Sequence, residues 1–227
     1  VVKRAIGAPL VAKLEKKQRA TAHVAVEIST VSQDAFNVVA RLEAEPADGK
    51  KLPGVIVVGA HYDHLGMGGR HSLAPHSNEA HVGADDNASG VAVVLEIALA
   101  LSQKKKELHR DVVFALFSGE ESGVLGSAHF VRAAAEGKKG AIAPKDVFAM
   151  LNLDMVGRMR ENRLQVLGSE TASEWPELVA ASCGANRVEC AASGDGYGPS
   201  DQMSFYTAGV PVLHFFTGTH TDYHKPS

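Results

Sequence analysis

Two stretches of this chain crowd carboxylates together: Gly83-Ala-Asp-Asp-Asn-Ala-Ser-Gly90 and Ser118-Gly-Glu-Glu-Ser-Gly123. Like charges repel, so such clusters are costly unless a cation or a proton sits between them. Three further segments end in good metal ligands: Gly59-Ala-His-Tyr-Asp-His64, Leu151-Asn-Leu-Asp154 and Asp222-Tyr-His224. Zinc accepts imidazole nitrogen and carboxylate oxygen, and a catalytic site keeps one position for water. Two ions ~3.5–4 Å apart need a bridging group between them. The donor inventory therefore points to a two-metal hydrolase. One ion could take His61 and Asp154, the other Glu121 and His224, with Asp85 bridging. Glu120, if held off the ions, could act as general base on the attacking water. Asp63 could hold the second N–H of His61, and Tyr223 could donate to a developing oxyanion. Spacing alone does not fix these assignments.

The elements that must position these residues read as an alternation of strands and helices. Val55–Val58, Asp111–Phe117, Val147–Leu153, Leu164–Leu167 and Val210–Phe216 are short apolar runs of the kind buried on both faces of a sheet. Asn87–Leu108 carries Val91, Val94, Leu95, Ala98 and Leu101 at helical spacing. Helices are also expected over Val124–Ala135, Glu174–Ala181 and Asp201–Thr207, and a Gly-rich loop over Ala192–Ser200. Upstream, Ala22–Ser29 and Phe36–Leu42 alternate as half-buried strands do, with a hairpin turn at Gln33-Asp-Ala. Residues 1–20 are basic and helix-prone, an N-terminal extension with Leu10, Val11 and Leu14 on one side. The pattern predicts an α/β fold: a mainly parallel central sheet with helices on both faces and antiparallel edge strands. Residues 1–227 are read as one catalytic domain. His61, Glu120, Glu121, Asp154 and His224 then all follow strand C-termini, where open α/β sheets build their sites.

Taken in order, the five motifs resemble the co-catalytic dizinc aminopeptidases, family twenty-eight of the metallopeptidases, from about Val55 to His224. The resemblance implies a zinc-exopeptidase fold, two zinc ions, and peptide substrates with a free N-terminus. It implies ligands at His61, Asp85 (bridging), Glu121, Asp154 and His224, with Glu120 as base. It also implies a cis peptide at Asp85-Asp86, with Asp86 structural. Two departures stand out. Many relatives carry His after the Ser-Asp pair where this chain has Gln202, which bears on pocket polarity. Relatives also continue into a helix where this chain stops three residues past His224. Carboxypeptidase-type relatives, which need a cation such as Arg158 for a C-terminal carboxylate, and non-catalytic receptor or scaffold relatives are the alternatives.

The bulk composition excludes little but agrees. The 227 residues carry 23 basic and 26 acidic side chains, a formal charge of -3, which gives no support to binding nucleic acid. No apolar run approaches the ~20 residues of a membrane span. The chain begins without Met and reads as a piece of something longer. Cys183 and Cys190 could close a small loop outside the cytosol or remain two free thiols. An exported, extracytoplasmic location is the expectation, drawn from the family and that cysteine pair. His64, His71, His76 and His81 crowd a loop that could rim the pocket or bind adventitious metal, though solvated loop residues are the favoured reading; His214 reads as a core histidine near the site, and His220 as a loop residue competing with His224.

Overall fold

The computed structural model describes residues 4–19, 23, 25–27, 29 and 32–226, the side chains of 4–6 excepted. It divides into two compact units, 1–34 and 35–227. Among its described residues the first contains helix α1 (Arg4–Glu15), with Pro9 inside it. The strand expected over 22–29 falls partly outside the described residues, and those described there carry none.

The second unit holds a seven-stranded sheet. Its strands are β1 (Val38–Leu42), β2 (Val55–His61), β3 (Asp111–Phe117), β4 (Val147–Leu153), β5 (Arg163–Leu167), β6 (Glu189–Ser193) and β7 (Val212–Phe216). The spatial order is β1-β3-β2-β4-β7-β5-β6. Strands β3, β2, β4 and β7 run parallel, β1 pairs antiparallel with β3, and β5 antiparallel with β7. The antiparallel edge at β1 thus forms against β3; the hairpin partner expected before it lies partly outside the described residues.

Period-two alternation explains the two cores. Val55, Val57, Val113, Ala115, Phe117 and Met150 face one side. There they meet Phe130 of α3 (Leu125–Ala133) and Phe205 of α5 (Gln202–Tyr206). Val58, Ala60, Val112, Phe114 and Leu153 face the other and meet Val91, Val94, Ile97 and Leu101 of α2 (Gly90–Ser102). A third cluster joins Val166 and Leu213 to Val179 of α4 (Trp175–Asn186). Burying one such Val or Phe side chain is worth about 1.5–3 kcal/mol. Gly59 keeps the sheet tight at its centre, because a Cβ there would lie 2.7 Å from the Phe117 ring.

Several boundaries differ from the sequence expectation: β2 continues to His61 and α4 to Asn186. Two other differences bear on the site. The helix expected over 87–108 is broken: residues 84–89 form an irregular turn with non-helical Asp86 and Asn87, α2 proper begins at Gly90, and a short 3-10 turn spans 105–107. The cause is local. Asn87 accepts the Gly90 N–H and the Met155 N–H and donates to the Leu153 carbonyl, so its side chain binds the turn to the end of β4. The loop expected at 192–200 begins later, because β6 extends to Ser193 on the edge of β5.

Candidate metal centre

Four strand ends deliver most of the candidate ligands, and the irregular turn at 84–89 delivers Asp85 and Asp86. His61 is the last residue of β2, Glu120 and Glu121 lie just past β3, Asp154 follows β4, and His224 lies on the loop after β7. Asp63 organises the first two. Its carbonyl accepts the Nδ1–H of His61 at 3.0 Å, while its carboxylate accepts the backbone N–H of Glu120 at 3.1 Å and of Glu121 at 3.3 Å. Asp63 thus orients His61 through its backbone oxygen, while its carboxylate caps the acidic turn.

The histidine Nε2 atoms face inward. Nε2 of His61 is 3.2 Å from Asp86 Oδ1 and 3.3 Å from Asp154 Oδ1. Nε2 of His224 is 3.3 Å from Asp86 Oδ2 and 3.3 Å from Glu121 Oε2. Asp86 therefore stands between the two halves with one oxygen toward each histidine. This corrects the sequence expectation for Asp85. Its carboxylate turns away, accepting the Gly157 N–H at 2.8 Å and facing His220 Nε2 at 3.2 Å. The cis peptide is likewise one residue later than expected, at Asp86-Asn87. Successive side chains leave an irregular turn in different directions, so one carboxylate enters the cluster and its neighbour does not.

The donors fit zinc. Two ligands on one tetrahedral zinc, each about 2.0–2.1 Å from the ion, lie about 3.3–3.4 Å apart. The four donor pairs above, at 3.2–3.3 Å, match that edge. Glu120 Oε2 lies farther out, 4.0 Å from His61 Nε2. His61, Glu120 and Asp154 offer donor atoms within 4.8 Å of one another, as do His64, Asp86 and Glu121. His64, for which the sequence favours a solvated loop position, instead has its Nδ1 2.7 Å from Glu121 Oε1. Nothing short of the fold brings residue 64 to residue 121.

Electrostatics follow from so many buried carboxylates. Burial opposes charge on His61, but hydrogen bonds to Asp154 and Asp86 outweigh it and push its pKa up to about 12. Burial, then the Asp154, Asp201 and Glu121 carboxylates, pushes Glu120 up to about 9 against the pull of His61. Burial would raise Asp154, but its bond to His61 outweighs that and holds it low. Ser200 Oγ–H also donates to Asp154 Oδ2 at 2.8 Å. Burial raises the Tyr223 phenol, and the surrounding carboxylates raise it further, so it stays protonated and able to donate. Asp201 is fully buried, and burial pushes it up to about 7 against the pull of the Ser127 hydroxyl and His61, with Asp154 and Asp63 raising it further. Burial keeps His214 low; its Nδ1 faces the Asn152 amide at 3.0 Å.

A cavity of about 350 Å³ opens on this cluster. Asp86, Glu120, Glu121, Asp154, Tyr223 and His224 line its polar side, and Val124, Met155, Pro199 and Met203 its apolar side. Gln202 is not among its lining residues; it is buried and its Oε1 accepts from Asn152, so it leaves pocket polarity untouched. Val124, Met155 and His224 all have positive φ, of 52, 50 and 54°. Non-glycine residues there cost about 1–3 kcal/mol each and cluster at functional sites.

A parallel sheet that gathers histidines and carboxylates at its carboxyl edge, beside a strained pocket, defines an α/β protein with a metal-type centre. Residues 37–227 match the model of peptidase family M28, and the chain belongs to that family. It is 29% identical over 171 residues to leupeptin-inactivating enzyme 1 of Streptomyces exfoliatus, covering 75% of this chain and 34% of that protein. A zinc aminopeptidase from Bacillus subtilis superposes with a TM-score of 0.61 at 27% identity, over 84% of this chain and 43% of that one. A glutaminyl cyclase from Porphyromonas gingivalis shares the fold, with a TM-score of 0.60 at 24% identity over 98% of this chain and 81% of that one. The chain thus spans about a third of the length of its Streptomyces relative.

Proposed function

We propose that this chain is a zinc-dependent aminopeptidase whose site holds two zinc ions, one at His61 and Asp154, the other at Glu121 and His224, with Asp86 between them. The observation that carries this reading is the set of four donor–donor distances at 3.2–3.3 Å, all sharing the Asp86 carboxylate or its partner histidines. When bound, zinc ions at such a site polarise a carbonyl and acidify water. The protein's own residues do the rest. Glu120, the one carboxylate of the cluster at 4.0 Å from His61 Nε2, holds its proton where burial and the surrounding carboxylates outweigh the pull of His61. With cations offsetting the neighbouring carboxylates it ionises, takes the proton of the attacking water and returns it to the leaving amine. Tyr223, protonated throughout, donates to the tetrahedral oxyanion. The carboxylate-lined side of the cavity suits the substrate's cationic α-amine, and Val124, Met155, Pro199 and Met203 suit an apolar first side chain.

The carboxypeptidase alternative fares worse, because Arg158 is already engaged by Asp222 at 2.6 Å. The disulfide Cys183–Cys190 supports an extracytoplasmic location, since disulfides persist in oxidising compartments. The test is Glu120→Gln on a panel of free-amine and amine-blocked peptides. Turnover of free-amine peptides should fall about 10²–10⁴-fold with zinc content unchanged. Full turnover in that variant, or equal cleavage of blocked peptides, would overturn the reading.

A further inference from the structure

The two halves of the cluster are built alike, and one member of that likeness has no assigned role. In the first half, Asp154 presents Oδ1 to His61 Nε2 at 3.3 Å while Ser200 Oγ–H holds Oδ2 at 2.8 Å. In the second, Glu121 presents Oε2 to His224 Nε2 at 3.3 Å while His64 Nδ1 meets Oε1 at 2.7 Å. A separation of 2.7 Å is a hydrogen-bond length. It is well short of the roughly 3.3 Å edge between two ligands on one tetrahedral zinc. His64 is also 3.9 Å from Asp86 Oδ2.

We infer that His64 is a positioning residue for the second ion: it donates Nδ1–H to Glu121 Oε1 and leaves only Oε2 to the metal. The inference rests on the two-ion reading above. The ring is well placed to hold that pose. It is largely buried, packs edge-on against the His224 ring at 5.8 Å, and lies 6.5 Å from the His81 ring. His81 is itself fixed by Ser72 Oγ at 2.7 Å. Gly83 leaves the space the ring occupies, because a Cβ there would come 2.8 Å from His64 Cγ. The same stretch of chain fixes His224 directly: the His71 carbonyl accepts its Nδ1–H at 2.9 Å, and the Leu73 N–H donates to its carbonyl at 2.9 Å. Residues 64–81 therefore support the second half as Ser200 supports the first.

The test is stepwise zinc dissociation from the whole chain, by equilibrium dialysis against graded chelator with elemental analysis, for wild type, His64→Leu and His64→Gln. The wild type should release two ions in two steps. Loss of the donor in His64→Leu should weaken one step about 10–100-fold and leave the other unchanged. His64→Gln, whose amide can donate, should recover most of that loss. Apo melting temperatures of the three serve as the folding control, and His64→Ala replaces the leucine variant if that one does not fold. Two steps of wild-type affinity in His64→Leu, or equal weakening of both, would overturn the inference while leaving the two-ion reading intact. A wild type that binds one ion would overturn both.

Discussion

The molecule buries carboxylates at both ends of its parallel strands, in opposite ways. At the start of β3, Asp111 is 2% exposed and fully compensated. Arg41 donates through Nε at 3.0 Å, Lys51 lies at 2.6 Å and the Ala44 N–H donates at 2.8 Å. Burial would raise its pKa, but the Lys51, Ala44 and Arg41 hydrogen bonds outweigh it and hold it at about 2. At the other end of the strands, Asp86, Glu120, Glu121 and Asp154 meet no Lys or Arg among the described ion pairs; their partners are His61, His64 and His224. One end is a finished ion-pair cluster. The other confines negative charge that only histidine protons or cations can offset. A fold does not hold such a cluster for stability alone, because uncompensated buried charge is costly.

The sharpest break of this contrast is Asp86→Asn. Removing the carboxylate shared by both halves should abolish turnover, by about 10³-fold or more, and lower bound zinc below the wild-type content, measured by elemental analysis. Asp85→Asn should leave both nearly intact, since an amide oxygen can still accept the Gly157 N–H. The reverse pattern would return the bridging role to Asp85. Zinc addition should next raise the melting temperature of the apo protein, by about 2.7 kcal/mol of stability at a hundredfold excess over Kd; no shift would contradict a site made in the native state. A smaller effect concerns the finished cluster. The folded-state pKa of Asp111 is depressed, so its stabilisation is present above the unfolded value near 4 and is lost as pH falls toward about 2. Asp111→Ala should remove that acid-dependent part and cost about 1–3 kcal/mol at neutral pH, read from denaturant unfolding. An unchanged acid limb would mean other carboxylates dominate it.

How far the sequence carries this contrast depends on the range of the cause. The strands β3 and β4 are legible to the residue because their runs are almost wholly apolar and end at a polar turn. Strand β6, Glu-Cys-Ala-Ala-Ser, is not, because nothing in it favours extension until β5 supplies the partner. Which strand ends carry the clustered histidines and carboxylates is legible from the motifs. Which of two adjacent aspartates enters the cluster is not, because that depends on the irregular turn that Asn87 ties to Leu153 and Met155. His64 shows the same limit at longer range. In sequence it stands in a histidine-rich loop, and only the approach of Glu121 and His224 gives it a role. Asp201 and Gln202 are similar: adjacent in sequence and both buried, with Gln202 in the Asn152 network and Asp201 outside it.

The most direct measurement is anomalous scattering at the zinc absorption edge from crystals of the zinc-loaded protein. Two peaks about 3.5–4 Å apart are expected, with one Asp86 oxygen toward each and His61 and His224 on opposite ions. A single peak, or a pair bridged by Asp85, would contradict this.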